Sequence, residues 1–99
     1  DLGGLTIALR AWRLSLGGSE SPVIDGFTGT QRFFLGWAQV WARKYRDEEL
    51  RRRLVVDPHA PSEFRTNGPV RNLPEFIEAF GVQEGDGLYL PESERVKIW

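Results

Sequence analysis

Two stretches of this chain carry apolar residues around far more of a helix than a surface helix needs to bury. From Leu2 to Leu16, the residues Leu5, Leu9, Trp12 and Leu16 recur at alternating spacings of four and three, which marks one helical face. Ile7, Ala11 and Leu14 supply a second face. At about 100° per residue, Thr6, Arg10 and Arg13 share one narrow polar stripe, and the apolar arc covers roughly 220°. A second helix is predicted from about Thr30 to Tyr45, with Thr28 or Thr30 as its cap. There Phe33, Phe34, Trp37, Val40, Trp41 and Tyr45 cluster on one side, with Gln31 inside their arc and Arg32, Gln39 and Arg43 opposite. Arcs this broad suit either the central helices of a small bundle or helices embedded in a protein larger than this chain. Large side chains in such a cluster are more often core than binding surface.

Length and composition narrow the choice. Ninety-nine residues make one domain or one piece of a larger one. The 13 Lys+Arg against 14 Asp+Glu leave a net charge of -1, which argues against a surface built for nucleic acid or anionic membrane. Hydrophobic residues at 40% and charged residues at 27% are those of a globular protein. No apolar run approaches the roughly 20 residues of a membrane span, and no signal peptide is visible. Cysteine is absent and histidine occurs once, so neither a disulfide framework nor a multi-histidine metal site can be built from this chain.

The rest of the chain reads as shorter pieces. Gly17-Gly18 ends the first helix, and a loop runs from Ser19 to Gly29. Asp47 is the expected cap of a third, short helix through Leu54, with Glu48 and Glu49 in its first turn. Arg51, Arg52 and Arg53 form a basic run, which by itself reads as a solvated face. Asp57-Pro58-His59-Ala60-Pro61 is stiff, and a loop or extended stretch is expected from there through Arg71. A last short helix spans about Leu73 to Phe80, capped by Asn72 and ended by Gly81. Glu84 to Trp99 reads as an irregular tail. The expected fold is mainly α: two long helices, two short helices and an irregular C-terminal half.

Few residues here can carry chemistry. His59 is the one side chain whose ordinary pKa lies near neutrality, and Asp57 stands two residues before it. A carboxylate beside an imidazole can accept the Nδ1 hydrogen bond, fix the tautomer and favour the protonated ring. Such a ring can donate to an anionic intermediate or act as a general acid. Arg65, six residues on, offers a planar fork suited to carbonyl or carboxylate recognition. The competing readings are a surface histidine beside an aspartate and an ordinary surface arginine. G-x-S-x-G, G-x-x-x-x-G-K and H-E-x-x-H are all missing, so by spacing alone this chain is not a complete enzyme.

Taken together, several blocks resemble the C-terminal end of the neprilysin and endothelin-converting-enzyme family of zinc metallopeptidases. They are Asp1-Leu2-Gly3-Gly4, Phe33-Phe34-Leu35 through Ala38-Gln39-Val40-Trp41, Asp57-Pro58-His59-Ala60-Pro61 with Phe64-Arg65, Asn67-Gly68-Pro69-Val70-Arg71-Asn72, and Trp99. The resemblance covers essentially the whole chain. It implies a thermolysin-like (zincin) catalytic domain, completed by preceding sequence that holds H-E-x-x-H and the glutamate of E-x-x-x-D as zinc ligands. Asp1 then matches the aspartate that closes E-x-x-x-D and orients a zinc-ligating histidine. His59 matches the histidine that stabilises the tetrahedral intermediate, and Asp57 its orienting partner. Arg65 matches the arginine that binds a substrate backbone carbonyl, and Val40 and Trp41 match residues lining the pocket for the side chain after the scissile bond.

Mammalian members have cysteines near positions matching Ala42, Val82 and Val96, so a bacterial-type member is expected. The resemblance thus implies zinc in the full-length enzyme, peptide substrates, the remainder of the catalytic domain as partner and an extracytoplasmic location. Two other readings stand beside it: a non-catalytic helical module that binds peptides, and a structural lobe.

Overall fold

The computed structural model describes residues 1–98; Trp99 lies outside the described residues. Five α-helices follow one another: α1 (Leu2–Ser15), α2 (Gly29–Val40), α3 (Asp47–Val56), α4 (Ser62–Val70) and α5 (Pro74–Phe80). A 3-10 turn at Glu92–Glu94 interrupts the tail. The expected mainly helical fold holds, with one correction. The stretch expected to be loop or extended through Arg71 contains α4, so the C-terminal half holds two helices rather than one.

The core forms where α2 packs on α4 and α5 and α1 crosses α4. Leu5 and Leu9 of α1, Phe34 of α2, Val70 of α4, and Leu73 and Phe76 at α5 are buried. Aromatic rings run through it in sequence. Trp12 stacks on Phe33 at 5.9 Å between centroids, Phe33 meets Phe34 edge-on at 5.4 Å, and Phe34 meets Phe76 edge-on at 5.3 Å. Three of the first-half aromatics, Trp12, Phe33 and Phe34, therefore join α1 to α2 and α2 to α5.

Local chemistry explains the start of α2 and the end of α5. Thr28 Oγ1 accepts the Gln31 backbone N–H at 3.1 Å, and Gln31 Oε1 accepts that of Thr28 at 2.9 Å, a reciprocal capping box. Gln31 Nε2 also donates to the Ala79 carbonyl at 2.8 Å, which accounts for a polar residue inside the apolar arc of α2. Gly81, at φ 60°, ends α5 in the left-handed region. Asp25 and Gly26 both have positive φ, 51° and 78°, and fold the tight turn between the bridged residues Ile24 and Phe27.

Other ends differ from expectation. The second helix stops at Val40 instead of Tyr45; Trp41 leaves it at φ -102° and ψ 4°. The cap position of α3 is Arg46, with Asp47 the first helical residue and the helix running on to Val56. Leu73, not Asn72, precedes α5. The Asn72 side chain instead donates to the Gly68 carbonyl at 2.7 Å and accepts the Val96 N–H at 2.8 Å, fastening the tail to the end of α4.

Candidate active site

The stiff D-x-H-x-P segment joins α3 to α4. Asp57 ends α3 in an extended conformation, and its Oδ1 accepts the backbone N–H of His59 at 2.9 Å. The same oxygen lies 3.0 Å from His59 Nδ1. One carboxylate oxygen thus holds both the main chain and the ring of the same histidine. His59 is 63% exposed at its side chain, against 29% for Asp57. The partner is tucked in while the ring faces solvent. The His59 backbone N–H, then its ring, hold the Asp57 carboxyl below its ordinary range, with Arg53 adding to the effect.

Arg65 sits on the first turns of α4, whose Arg65 N–H bonds back to the Pro61 carbonyl. Its Nε donates to Asp1 Oδ2 at 2.7 Å and its Nη2 to Asp1 Oδ1 at 2.8 Å, a bidentate pair across 64 residues of sequence. The guanidinium carbon stands over the Trp41 ring, 4.1 Å from its centre. Arg65 is therefore clamped between a carboxylate and an indole. Two of its five N–H groups are used, and three remain for another acceptor. Trp41 also packs edge-on against Trp37 at 5.5 Å, and Trp37 Nε1 donates to the Thr66 carbonyl of α4. The buried Trp41 Nε1 has no hydrogen-bond partner. Val40 closes α2 with an exposed side chain.

The structure therefore joins Asp1, Trp41 and Arg65 directly, pairs Asp57 with His59, and leaves Val40 exposed at the end of α2. An apolar hollow of about 470 Å³ opens between α2, α4, α5 and the 82–88 turn, lined by Phe34, Trp37, Val70, Phe76 and Leu88. None of the candidate site residues lines that hollow. Sequence reasoning did not foresee the Asp1–Arg65 pair, because nothing in local spacing reports a contact so distant along the chain. It also passed over Arg53 and Tyr45, which contact Asp57 and Ser62 respectively. A charged residue four positions before Asp57 was the available signal for Arg53.

Comparison with known proteins bears on this arrangement. The model of "Peptidase family M13" matches residues 1–96. The chain belongs to peptidase family M13. Among M13 relatives, it is 37% identical over 99 residues to the neutral endopeptidase of Lactococcus lactis subsp. lactis, covering all of this chain and 14% of that protein. It is 38% identical over 102 residues to human endothelin-converting enzyme 1, covering all of this chain and 13% of that protein. A solved structure of the zinc metalloprotease Zmp1 of Mycobacterium tuberculosis, in complex with inhibitor, superposes with a TM-score of 0.96 at 60% identity. All of this chain and 15% of that one are covered. The chain thus spans about a seventh of the length of the relatives it matches. The family expected from the sequence blocks together is the one these comparisons show.

Proposed function

We propose that this chain is the C-terminal part of the catalytic domain of a zinc-dependent endopeptidase, and that it supplies substrate-binding and intermediate-stabilising side chains. The observation that carries the reading is the Asp57–His59 pair, in which one carboxylate fixes an otherwise exposed imidazole. When the ring is protonated, Nδ1–H is donated to Asp57 and Nε2–H is left to donate to an oxyanion formed at the scissile carbonyl. Asp57 stays ionised and offsets the ring charge.

Arg65 supplies the second contact. Its unused N–H groups are available to a substrate backbone carbonyl while Asp1 and Trp41 hold the guanidinium still. Trp41 and Val40 are assigned to the wall of the pocket for the side chain that follows the scissile bond. Among the described residues no group of three His, Cys, Asp or Glu side chains could hold a metal ion. On the family match, the zinc and its ligands are assigned to preceding sequence. Asp1 retains unused lone pairs on both oxygens and can still accept the N–H of a zinc-ligating histidine.

Peptides are the proposed substrates, and an extracytoplasmic location is proposed from the family. No described helix is long and apolar enough to cross a membrane. In the full-length enzyme, His59→Ala is expected to lower kcat by about a hundredfold, the scale of losing one oxyanion donor. Arg65→Ala is expected to act mainly on KM. Steady-state kinetics on a peptide substrate check both, and wild-type values in both variants would remove the assignment.

A further inference from the structure

Arg53 lies in the last turn of α3, at the end of the basic run Arg51–Arg53. A solvated face does not describe its surroundings. Its Nε donates to Glu49 Oε1 at 2.7 Å, and its Nη1 lies 3.4 Å from Asp57 Oδ2. Its guanidinium carbon stands 5.3 Å from the centre of the Tyr45 ring. The side chain is 34% exposed, against 60% for Arg52, which pairs with the same Glu49.

The division of labour on Asp57 gives this contact its meaning. Oδ1 is taken by the backbone N–H and ring of His59, and Arg53 takes the other oxygen. Tyr45 then reaches past the loop: its hydroxyl lies 2.6 Å from the Oγ of Ser62, the buried first residue of α4. The His59 segment is thus fastened at both ends to one Tyr45–Arg53 unit, through Asp57 before it and Ser62 after it. Pro58 and Pro61 stiffen the main chain between the fasteners. Prolines do not fix the Asp57 side chain; its Oδ1 is held by the His59 backbone N–H and its Oδ2 faces Arg53.

We propose that Arg53, steadied by Glu49 and Tyr45, is a positioning residue for His59, holding the Asp57 carboxylate so that it keeps the imidazole in one orientation. The inference rests on the role proposed above for His59. Arg53 acts on His59 through Asp57.

A double-mutant cycle in the full-length peptidase tests it, comparing wild type, Arg53→Gln, His59→Ala and the double variant. Arg53→Gln is expected to lower kcat about tenfold with KM within about twofold, less than the hundredfold that a 1 Å misplacement can cost. In the His59→Ala background the same change is expected to cost nothing further, since its target is gone. Arg53→Lys, which keeps a cation four residues before Asp57, is expected to recover most of kcat. If Arg53→Gln does not fold, Arg53→Met keeps the apolar stem and replaces it in the cycle. Unchanged kcat, or an equal loss in both backgrounds, overturns this inference alone. Wild-type kcat in His59→Ala overturns the reading of His59 and this inference with it.

Discussion

At the scale of single residues, the candidate site divides by sequence distance. Asp57 and His59 are two positions apart, and an aspartate that accepts a main-chain N–H two residues on is a local turn device. That pair was legible before any fold was known. Arg65 was legible as a donor fork but not as a partner of Asp1, because their contact depends on α1 crossing α4. Glu49 provides a residue-scale prediction. Bonds from Arg52, then Arg53, lower its pKa from 4.5 to about 2. A carboxyl whose pKa is lower in the folded state contributes stability above its ordinary pKa and loses it as pH falls through the folded value. The difference in melting temperature between wild type and Glu49→Gln is therefore expected to close as pH drops from 4.5 toward about 2. A gap independent of pH would assign Glu49 to packing instead. Because the pair is on the surface, the effect is expected to be small.

At the scale of elements, α4 is the instructive departure. Asn67-Gly68-Pro69 has turn composition, and Pro69 removes the N–H that would reach the Arg65 carbonyl. The helix forms regardless. Pro69 falls next to its last residue, Thr66 Oγ1 bonds to the Ser62 carbonyl, and Val70 is buried in the core. Tertiary burial outweighed local propensity, as it also did in reverse at the end of α2. There the apolar pattern continues to Tyr45, but the backbone leaves the helix at Trp41, Trp41 lies against Arg65, and Tyr45 bonds to Ser62. The start of α2 supports a sharper test. A Cβ on Gly29 would lie 2.5 Å from Ser21 Cβ and 2.9 Å from the Trp12 ring. Gly29→Ala is expected to destabilise the protein by about 1–3 kcal/mol, the usual cost of overpacking, measured by denaturant unfolding. Wild-type stability would mean that Ser21 and Trp12 give way freely.

At the scale of the whole molecule, the broad apolar arcs are only partly used. Leu5 and Leu9 are buried on one face of α1, while Ile7 is 56% and Leu14 72% exposed on the other. Val55 and Phe64 are also exposed, at the end of α3 and the start of α4. The Cα radius of gyration is 15.3 Å, where a compact chain of this length would have about 13 Å. A chain extended over 47 Å with apolar faces open fits a segment laid against other parts of a larger fold. The isolated chain is accordingly expected neither to bind zinc tightly nor to cleave peptides. Equilibrium dialysis and a fluorogenic-peptide assay check this, and zinc-dependent hydrolysis by the purified chain would overturn the fragment reading.

Periodicity, capping chemistry and short motifs are properties of neighbouring residues, and they determined what is local here: a helical chain, the ends of α1 and α5, the stiff His59 segment and its aspartate. The sequence blocks together also determined the family. Tertiary structure alone decided that Asp1 and Trp41 clamp Arg65, that Tyr45 bonds to Ser62 across the His59 segment, and that residues 62–70 are helical. Those outcomes depend on which helices cross and what each crossing buries. Long-range burial and charge pairing act through space, so spacing along the chain carries almost no record of them.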